Sequence, residues 1–584
     1  MAEKTRRSFI FLVFSAFCVI ILFGISKEWR SSKMNIENIS IVPEPDRLEF
    51  TGKWFGFDGF QNLPDFLMEE FNIKKGTWTI KKLDGDSKVT RISIRDKEVR
   101  FWGNEYVAYA TLIQLINRYK SKLPEVTIEE SFHFKFRGYH LDIARGGIPN
   151  LATFKKILRT LFLLKYNYFA IYLEDLFPWK KYPEIGKYRG RLTEEELREV
   201  INYGSKLGIE VFPSLELTGH MENILVLPEF RRFSEWHSPK EGCLNLKDEE
   251  ARKFAYELLG EVLAFFPSKY IHIGGDETWA LGRGRSLNRS WRFEGPELYE
   301  AHHNNLVKLS KEYGKEPILW GDMLTGMYLQ KEERDRWKKV LESKIWDEVI
   351  IANWDYSANS KEFFKDKIDL FGKRKDKEIA CPGLANWNTY YPDFDTAIEN
   401  LRNFLTAAKE ENLFGFLITA WGDDGEECLF SFLDPLILAS MEIAEGNGDW
   451  EEKWLSFSGE DKSVLKVREL FGKSDISSYL KHILFADQWY YFDGNANKIK
   501  ELSIKWKEVL KEVDGIGLPR DLTFIREALN IAIKRLDNSI KSSDLIDLSR
   551  DYTSLWLSER KPEGLEVVIT RFWGAAGRIE LKMK

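Results

Sequence analysis

The six residues His272-Ile-Gly-Gly-Asp-Glu277 carry the sharpest chemical signal in the chain. Two adjacent carboxylic acids follow two glycines, which let a backbone bend sharply or come close to a ligand. Crowded carboxyl groups resist ionising together, so one can keep its proton near neutral pH while its neighbour stays anionic. That division suits a general acid beside an electrostatic partner. An isolated Asp-Glu pair is more often a solvated turn, so the elements around it must decide. His272, between Ile271 and Ile273, alternates in phase with Gly274 and Asp276. It therefore faces the same side as they do, as a supporting hydrogen-bonding group or as a packed core histidine.

Eight compact apolar runs supply the framework: Tyr139–Ile143, Tyr168–Leu173, Ile209–Leu215, Tyr270–Gly274, Ile318–Trp320, Val349–Asn353, Ala380–Leu384 and Phe414–Thr419. Between them lie stretches of helical periodicity, among them 150–165, 193–206, 247–266 and 393–410. Thr193 followed by Glu196 has the form of a capping box. Eight strand–helix units predict an α/β fold, a (β/α)8 TIM barrel, since the glycine fingerprint of a doubly wound sheet is absent. The Asp276-Glu277 pair then follows the fourth of eight strands, at the barrel end where chemistry gathers.

Other polar and aromatic residues collect at the same end. They are Asp142 and Arg145, Glu174 and Asp175, Glu216 and His220, Trp320 and Asp322, Trp354 and Asp355, Trp387 and Tyr390, then Trp421, Asp423 and Asp424. Carboxylates can handle hydroxyls and protons while rings cover the C–H faces of a sugar. Arg145 is suited to holding substrate hydroxyls or to pairing with Asp142. His220 follows Thr218-Gly219 on a loop, where a pocket role is more natural than core packing. Each Trp alone reads as core, but Trp320, Trp354, Trp387 and Trp421 recur at successive late strand ends, as a shared stacking box would. A metal site is a poor reading. His272, His220, Asp276 and Glu277 are ligand types, yet no His-x-His pair follows the first strand and the chain holds only 8 His. No metal and no cofactor are expected.

Around the barrel, 1–39 reads as an N-terminal anchor or signal segment with a stalk, and 40–130 as a small α+β domain. In the latter, strands are expected at 89–94 and 97–101 and a helix at 106–119. The barrel is expected over 131–440 and a mostly helical region over 441–584, with strand at Leu565–Arg571 and Arg578–Lys582. The near-continuous apolar run Phe9–Ile25 follows Lys4, Arg6 and Arg7. It predicts a single-pass anchor with the catalytic body outside the cytoplasmic membrane; a cleaved signal is the alternative. The 4 cysteines lack metal-ligand spacing and demand no disulfide framework. With 86 basic and 92 acidic residues, the charge of −6 gives no electrostatic reason to expect nucleic acid as a partner.

From about 40 to 440 the chain resembles glycoside hydrolase family 20, the β-N-acetylhexosaminidases, and in detail their hexosaminidase D branch. The resemblance rests on Leu141–Arg145, Tyr172–Pro178, Phe212–His220, the His272–Glu277 block, Ile318–Met323 and Thr419–Trp421. It implies a retaining exo-β-N-acetylhexosaminidase acting on N-acetylhexosamine-containing glycans. Glu277 would protonate the leaving oxygen, and Asp276 would support attack of the 2-acetamido group through an oxazolinium intermediate. By the same implication, Arg145 would contact hydroxyls and His220 and Asp175 would support the pocket. Trp320, Trp354 and Trp421 would enclose the sugar. Asp423 stands where the family usually has a hydroxyl-binding Glu. The family's acetamido-binding tyrosine has no clean match, and Tyr390 is the candidate. Competing readings are a non-catalytic carbohydrate-binding protein and a retaining glycosidase with a carboxylate nucleophile.

Overall fold

The computed structural model describes residues 39–85, 88–325, 335–338, 340, 342–486 and 496–581. Residues 41–584 cluster as one compact unit, separate from 1–40. The expected anchor Phe9–Ile25 lies outside the described residues, among which no helix is long and apolar enough to cross a membrane.

Five strands form the first sheet: β1 (Arg47–Gly56), β2 (Thr79–Lys82), β3 (Thr90–Arg95), β4 (Glu98–Trp102) and β5 (Lys122–Glu130), in the order β1-β5-β3-β4-β2. The Glu105–Tyr119 helix packs on it, started by Asn104, whose side chain accepts from the N–H groups of Tyr106 and Val107. This is the α+β arrangement expected there.

Eight parallel strands then close the barrel: β6 (Phe136–Asp142), β7 (Tyr168–Tyr172), β8 (Glu210–Ser214), β9 (Tyr270–His272), β10 (Glu316–Trp320), β11 (Ile350–Trp354), β12 (Glu378–Cys381) and β13 (Gly415–Ala420). Pairing of β13 with β6, from Gly415 opposite Phe136 to Ala420 opposite Leu141, completes the ring. Each expected apolar run overlaps one of these strands, with the ends displaced by up to three residues. The capping box also forms, with Thr193 and Glu196 bonding reciprocally at the start of the Glu194–Lys206 helix.

Strand alternation sorts the interior into layers. At the bottom, Phe136, Tyr168, Phe212 and Tyr270 pack ring on ring, with Phe136 stacked on Tyr168 at 4.2 Å. One repeat higher come His140, Tyr172, His272, Trp320 and Trp421, in mutual ring contact around His140. The next positions in the same phase include Asp142, Glu174 and Asp322 at the mouth, where Glu216 follows β8 and Asp276 follows the turn after β9. The barrel is thus a packed plug that places carboxylates above aromatic rings.

Among the described residues, the region after the barrel is mostly helical, including Ala496–Glu512, Arg520–Leu536 and Ser542–Glu559. Strand was expected at Leu565–Arg571 and Arg578–Lys582, but residues Leu565–Glu580 form one helix. Its buried residues Val568, Phe572, Ala575 and Ala576 recur at helical spacing, so docking one face outweighs the β-branched run at its start. Lys582 lies outside the described residues. Cys243, Cys381 and Cys428 are buried free thiols.

Candidate active site

The paired acids leave β9 through a backbone turn that glycine makes possible. Gly274 and Gly275 have φ of +65° and +96°, and a Cβ on Gly274 would lie 2.0 Å from a carboxyl oxygen of Glu216. Glu277 also adopts a left-handed conformation, φ +47°, and its N–H donates to Asp322 at 2.9 Å. Such a conformation in a non-glycine residue needs support from its surroundings.

The two carboxyls meet different environments. Asp276 is buried, which alone would raise its pKa, but His220, a backbone hydrogen bond and His272 together hold it below the usual aspartate range. His220 Nε2 lies 3.4 Å from Asp276 and 3.6 Å from Glu277. Burial opposes charge on His220 too, yet Asp276 raises its pKa well above the ordinary histidine value. Glu277, its side chain 37% exposed, shifts upward through burial and then the Asp276 charge. One acid is therefore held anionic while its neighbour is biased toward keeping a proton.

Two further carboxyls sit behind the pair. Glu216 is buried and pushed well up by burial and by Asp276. It also accepts the Gly275 N–H at 3.2 Å. Asp322 is pushed up to about 7 by burial and Asp276. Both shifts favour the protonated carboxyl, whereas that of Asp276 favours its anion.

A cavity of about 240 Å³ opens above these groups, lined by Arg145, His220, Asp276, Glu277, Trp354, Tyr356, Trp387, Trp421 and Asp423. It is smaller than the roughly 300–1,000 Å³ of pockets for drug-sized ligands, as a site for a single sugar ring would be. Arg145 pairs with Asp142 at 2.8 Å, reaches Glu174 at 3.4 Å and lies 3.7 Å from Asp423. Its guanidinium also covers the rings of Tyr172 and Trp421. The structural pairing with Asp142 and exposure to the cavity therefore coexist.

Not every expected residue reaches that cavity. Trp320 is fully buried beneath it, 4.2 Å from the His272 ring. His272 belongs to this packed layer, its Nδ1 accepting the Gly274 N–H at 3.1 Å. Asp175 is buried and paired with Arg189, which also donates to the Ala144 carbonyl, so it acts on the Arg145 loop from behind. Tyr390 lies away from the lining, among Phe485, Phe524, Tyr552 and Phe572 of the C-terminal helices. The phenol in the lining is instead Tyr356, which stacks on Trp354 and accepts the Trp421 indole N–H at 2.7 Å. Its signal in the sequence was weak but present, since Tyr356 continues the Trp354 phase two residues on. Among the described residues, no cluster of three or more His, Cys, Asp or Glu has the arrangement of a metal site.

Comparison with known proteins agrees with this architecture. Residues 134–422 match the catalytic-domain model of glycosyl hydrolase family 20. A beta-hexosaminidase of Vibrio furnissii is 30% identical over 225 residues, which are 32% of this chain and 37% of that protein. The chain thus spans little more than a third of that relative's length. Hexosaminidase D of Bos taurus is 24% identical over 330 residues, covering 54% of this chain and 92% of the bovine one. Hexosaminidases outside the D branch match as well, so that branch is not singled out. In fold, a Flavobacterium johnsoniae chitobiase superposes with a TM-score of 0.54 at 15% identity, covering 92% of this chain and 99% of that one. Through residues 134–422, this chain belongs to glycosyl hydrolase family 20.

Proposed function

We propose that the chain is a retaining exo-β-N-acetylhexosaminidase that releases terminal β-linked N-acetylglucosamine or N-acetylgalactosamine by substrate-assisted catalysis. One observation carries the reading. Two adjacent carboxyls face a cavity of monosaccharide scale, Asp276 held anionic beside His220 and Glu277 biased toward protonation.

Glu277 donates its proton to the glycosidic oxygen as the bond from C1 breaks. The acetamido carbonyl oxygen attacks C1 from the opposite face, and the anionic Asp276 holds the acetamido N–H and stabilises the oxazolinium charge. Glu277, now a base, then takes a proton from water as the water oxygen attacks C1 and the five-membered ring opens. Two displacements at C1 retain configuration, with no enzyme carboxylate glycosylated. Arg145 and Asp423 bind hydroxyls, Trp354, Trp387 and Trp421 wall the ring, and Tyr356 rather than Tyr390 presents the phenol. No cofactor is required by this scheme. The segment Phe9–Ile25 tethers the body outside the cytoplasmic membrane. Recovery only of a soluble form beginning after residue 25 would instead indicate a cleaved signal.

The deciding assay compares nitrophenyl β-N-acetylglucosaminide and β-N-acetylgalactosaminide with the plain β-glucoside. Release of nitrophenol from an acetamido substrate, and negligible release from the glucoside, is expected. Comparable turnover of the glucoside would overturn substrate assistance. No release from any of them would favour a carbohydrate-binding role.

A further inference from the structure

The loop after β13 carries Trp421 and Asp423 to the cavity, yet its conformation is held largely from outside the barrel. Asp424, Gly425 and Glu426 have φ of +62°, +104° and +54°, a succession of left-handed residues that persists only where neighbours over-determine it. Those neighbours come from the C-terminal helices. Lys481, on the Ser474–Phe485 helix and 1% exposed, donates to Asp424 at 2.7 Å, Glu427 at 3.0 Å and the Asn388 side chain at 3.0 Å. Asn388 in turn donates its backbone N–H to the Asp423 carbonyl at 3.3 Å. Arg571, on the Leu565–Glu580 helix, donates to the Asp424 carbonyl at 2.7 Å and pairs with the carboxylates of Asp424 and Glu427. Arg560 caps the carbonyls of Glu426 and Cys428, and Tyr552 that of Glu427. Asp423 stands at the free end of this fastened loop, its side chain 49% exposed and 3.7 Å from Arg145.

We infer that the C-terminal helices are part of the sugar-recognition apparatus, with Lys481 and Arg571 as positioning residues that set Asp423 against the sugar hydroxyls. They touch no substrate and act through the loop backbone and Asn388. Their removal leaves the acids after β9 in place, so recognition suffers more than chemistry. Discrimination between sugars differing in hydroxyl configuration should suffer most. The inference rests on the function proposed above, so wild-type turnover of an acetamido substrate is the first control; its absence refutes that function and, with it, this role.

With turnover established, Lys481→Met and Arg571→Met are compared with Arg571→Lys on the glucosaminide and galactosaminide, alongside thermal unfolding. In folded variants, KM should rise about tenfold, in keeping with the large cost of small misplacements, while kcat falls less. The activity ratio between the two epimers should shift at least about threefold, with partial recovery in Arg571→Lys. Should the Met variants fail to fold, Asp424→Asn loosens both cations from a half-exposed carboxylate and is expected to change KM and the ratio in the same direction. Folded variants with KM, kcat and epimer ratio all within about twofold of wild type would overturn the inference, since a tenfold change is expected.

Discussion

Glu277 and Asp276 are neighbours asked to hold opposite protonation states, and the proposed chemistry gives them work at different atoms. Glu277→Gln removes the proton donor, and general acid–base contributions of roughly 10²–10⁴-fold set the scale of loss. The loss should be severe with poor leaving groups and milder with dinitrophenolate, which needs little protonation. Asp276→Asn removes the charge that steadies the oxazolinium, so its loss should persist whatever the leaving group. Leaving-group series on both variants check this, and the opposite pattern would reverse the two roles. The pH dependence tests the same cluster. Catalysis needs Asp276 ionised and Glu277 protonated, giving a bell-shaped profile with its acid limb from the depressed Asp276 and its alkaline limb from the raised Glu277. His220 lowers the pKa of both carboxyls. In His220→Asn both pKa values therefore climb, and the whole bell moves to higher pH. Unmoved limbs would mean that His220 does not govern the pair.

The turn after β9 is the element on which this arrangement depends. Gly274→Ala puts a methyl against Glu216 at φ +65°, so the carboxyl that accepts the Gly275 N–H must shift and the backbone is strained. Strain of about 1–3 kcal/mol is expected for a forced conformation of this kind. The measurable outcome is a lowered melting temperature together with lost turnover, and a variant with unchanged stability would show that the turn relaxes. Such a requirement is legible in the sequence as a glycine pair before the acids. What those glycines avoid is not legible, because Glu216 arrives from β8, more than fifty residues earlier. Helical periodicity also needed its neighbours at Leu565–Glu580, where a Val-Val-Ile start suggests strand until Phe572, Ala575 and Ala576 dock.

At the scale of the molecule, the barrel and the helices after it share one core. Tyr390 and Tyr391 are fully buried, packed respectively against Tyr552 and Phe572 and against Phe471. The backbone crosses the same boundary, with Asn150 donating to Glu559 and Lys561 to Ile148. A chain ending at residue 460 loses all of these partners. Stripping even a few large aromatic contacts, at about 3–5 kcal/mol each, approaches the roughly 5–15 kcal/mol that holds a typical domain folded. The truncated protein should therefore aggregate or lack a cooperative melting transition. A soluble truncation with a sharp transition would show the barrel to be self-sufficient.

Local pattern determined much of this protein. Eight apolar runs with helical stretches between them determined the barrel, because a strand buried on both faces must be apolar along its length. Period-two alternation then put His272 on the inward face, and the order of the strands put the acids at the barrel mouth, although β9 ends at His272 and the left-handed Gly274–Gly275 turn, not alternation, carries Asp276 there. Tertiary structure decided which mouth residues meet. Trp320 and Asp175 ended behind the cavity and Tyr390 among the C-terminal helices, while Tyr356 entered the lining. It also decided the protonation pattern, since the direction of each shift depends on burial and on charges brought from other strands. Residue type and spacing are local properties, whereas which groups share a desolvated space is set only when distant segments close the barrel and the helices pack against it.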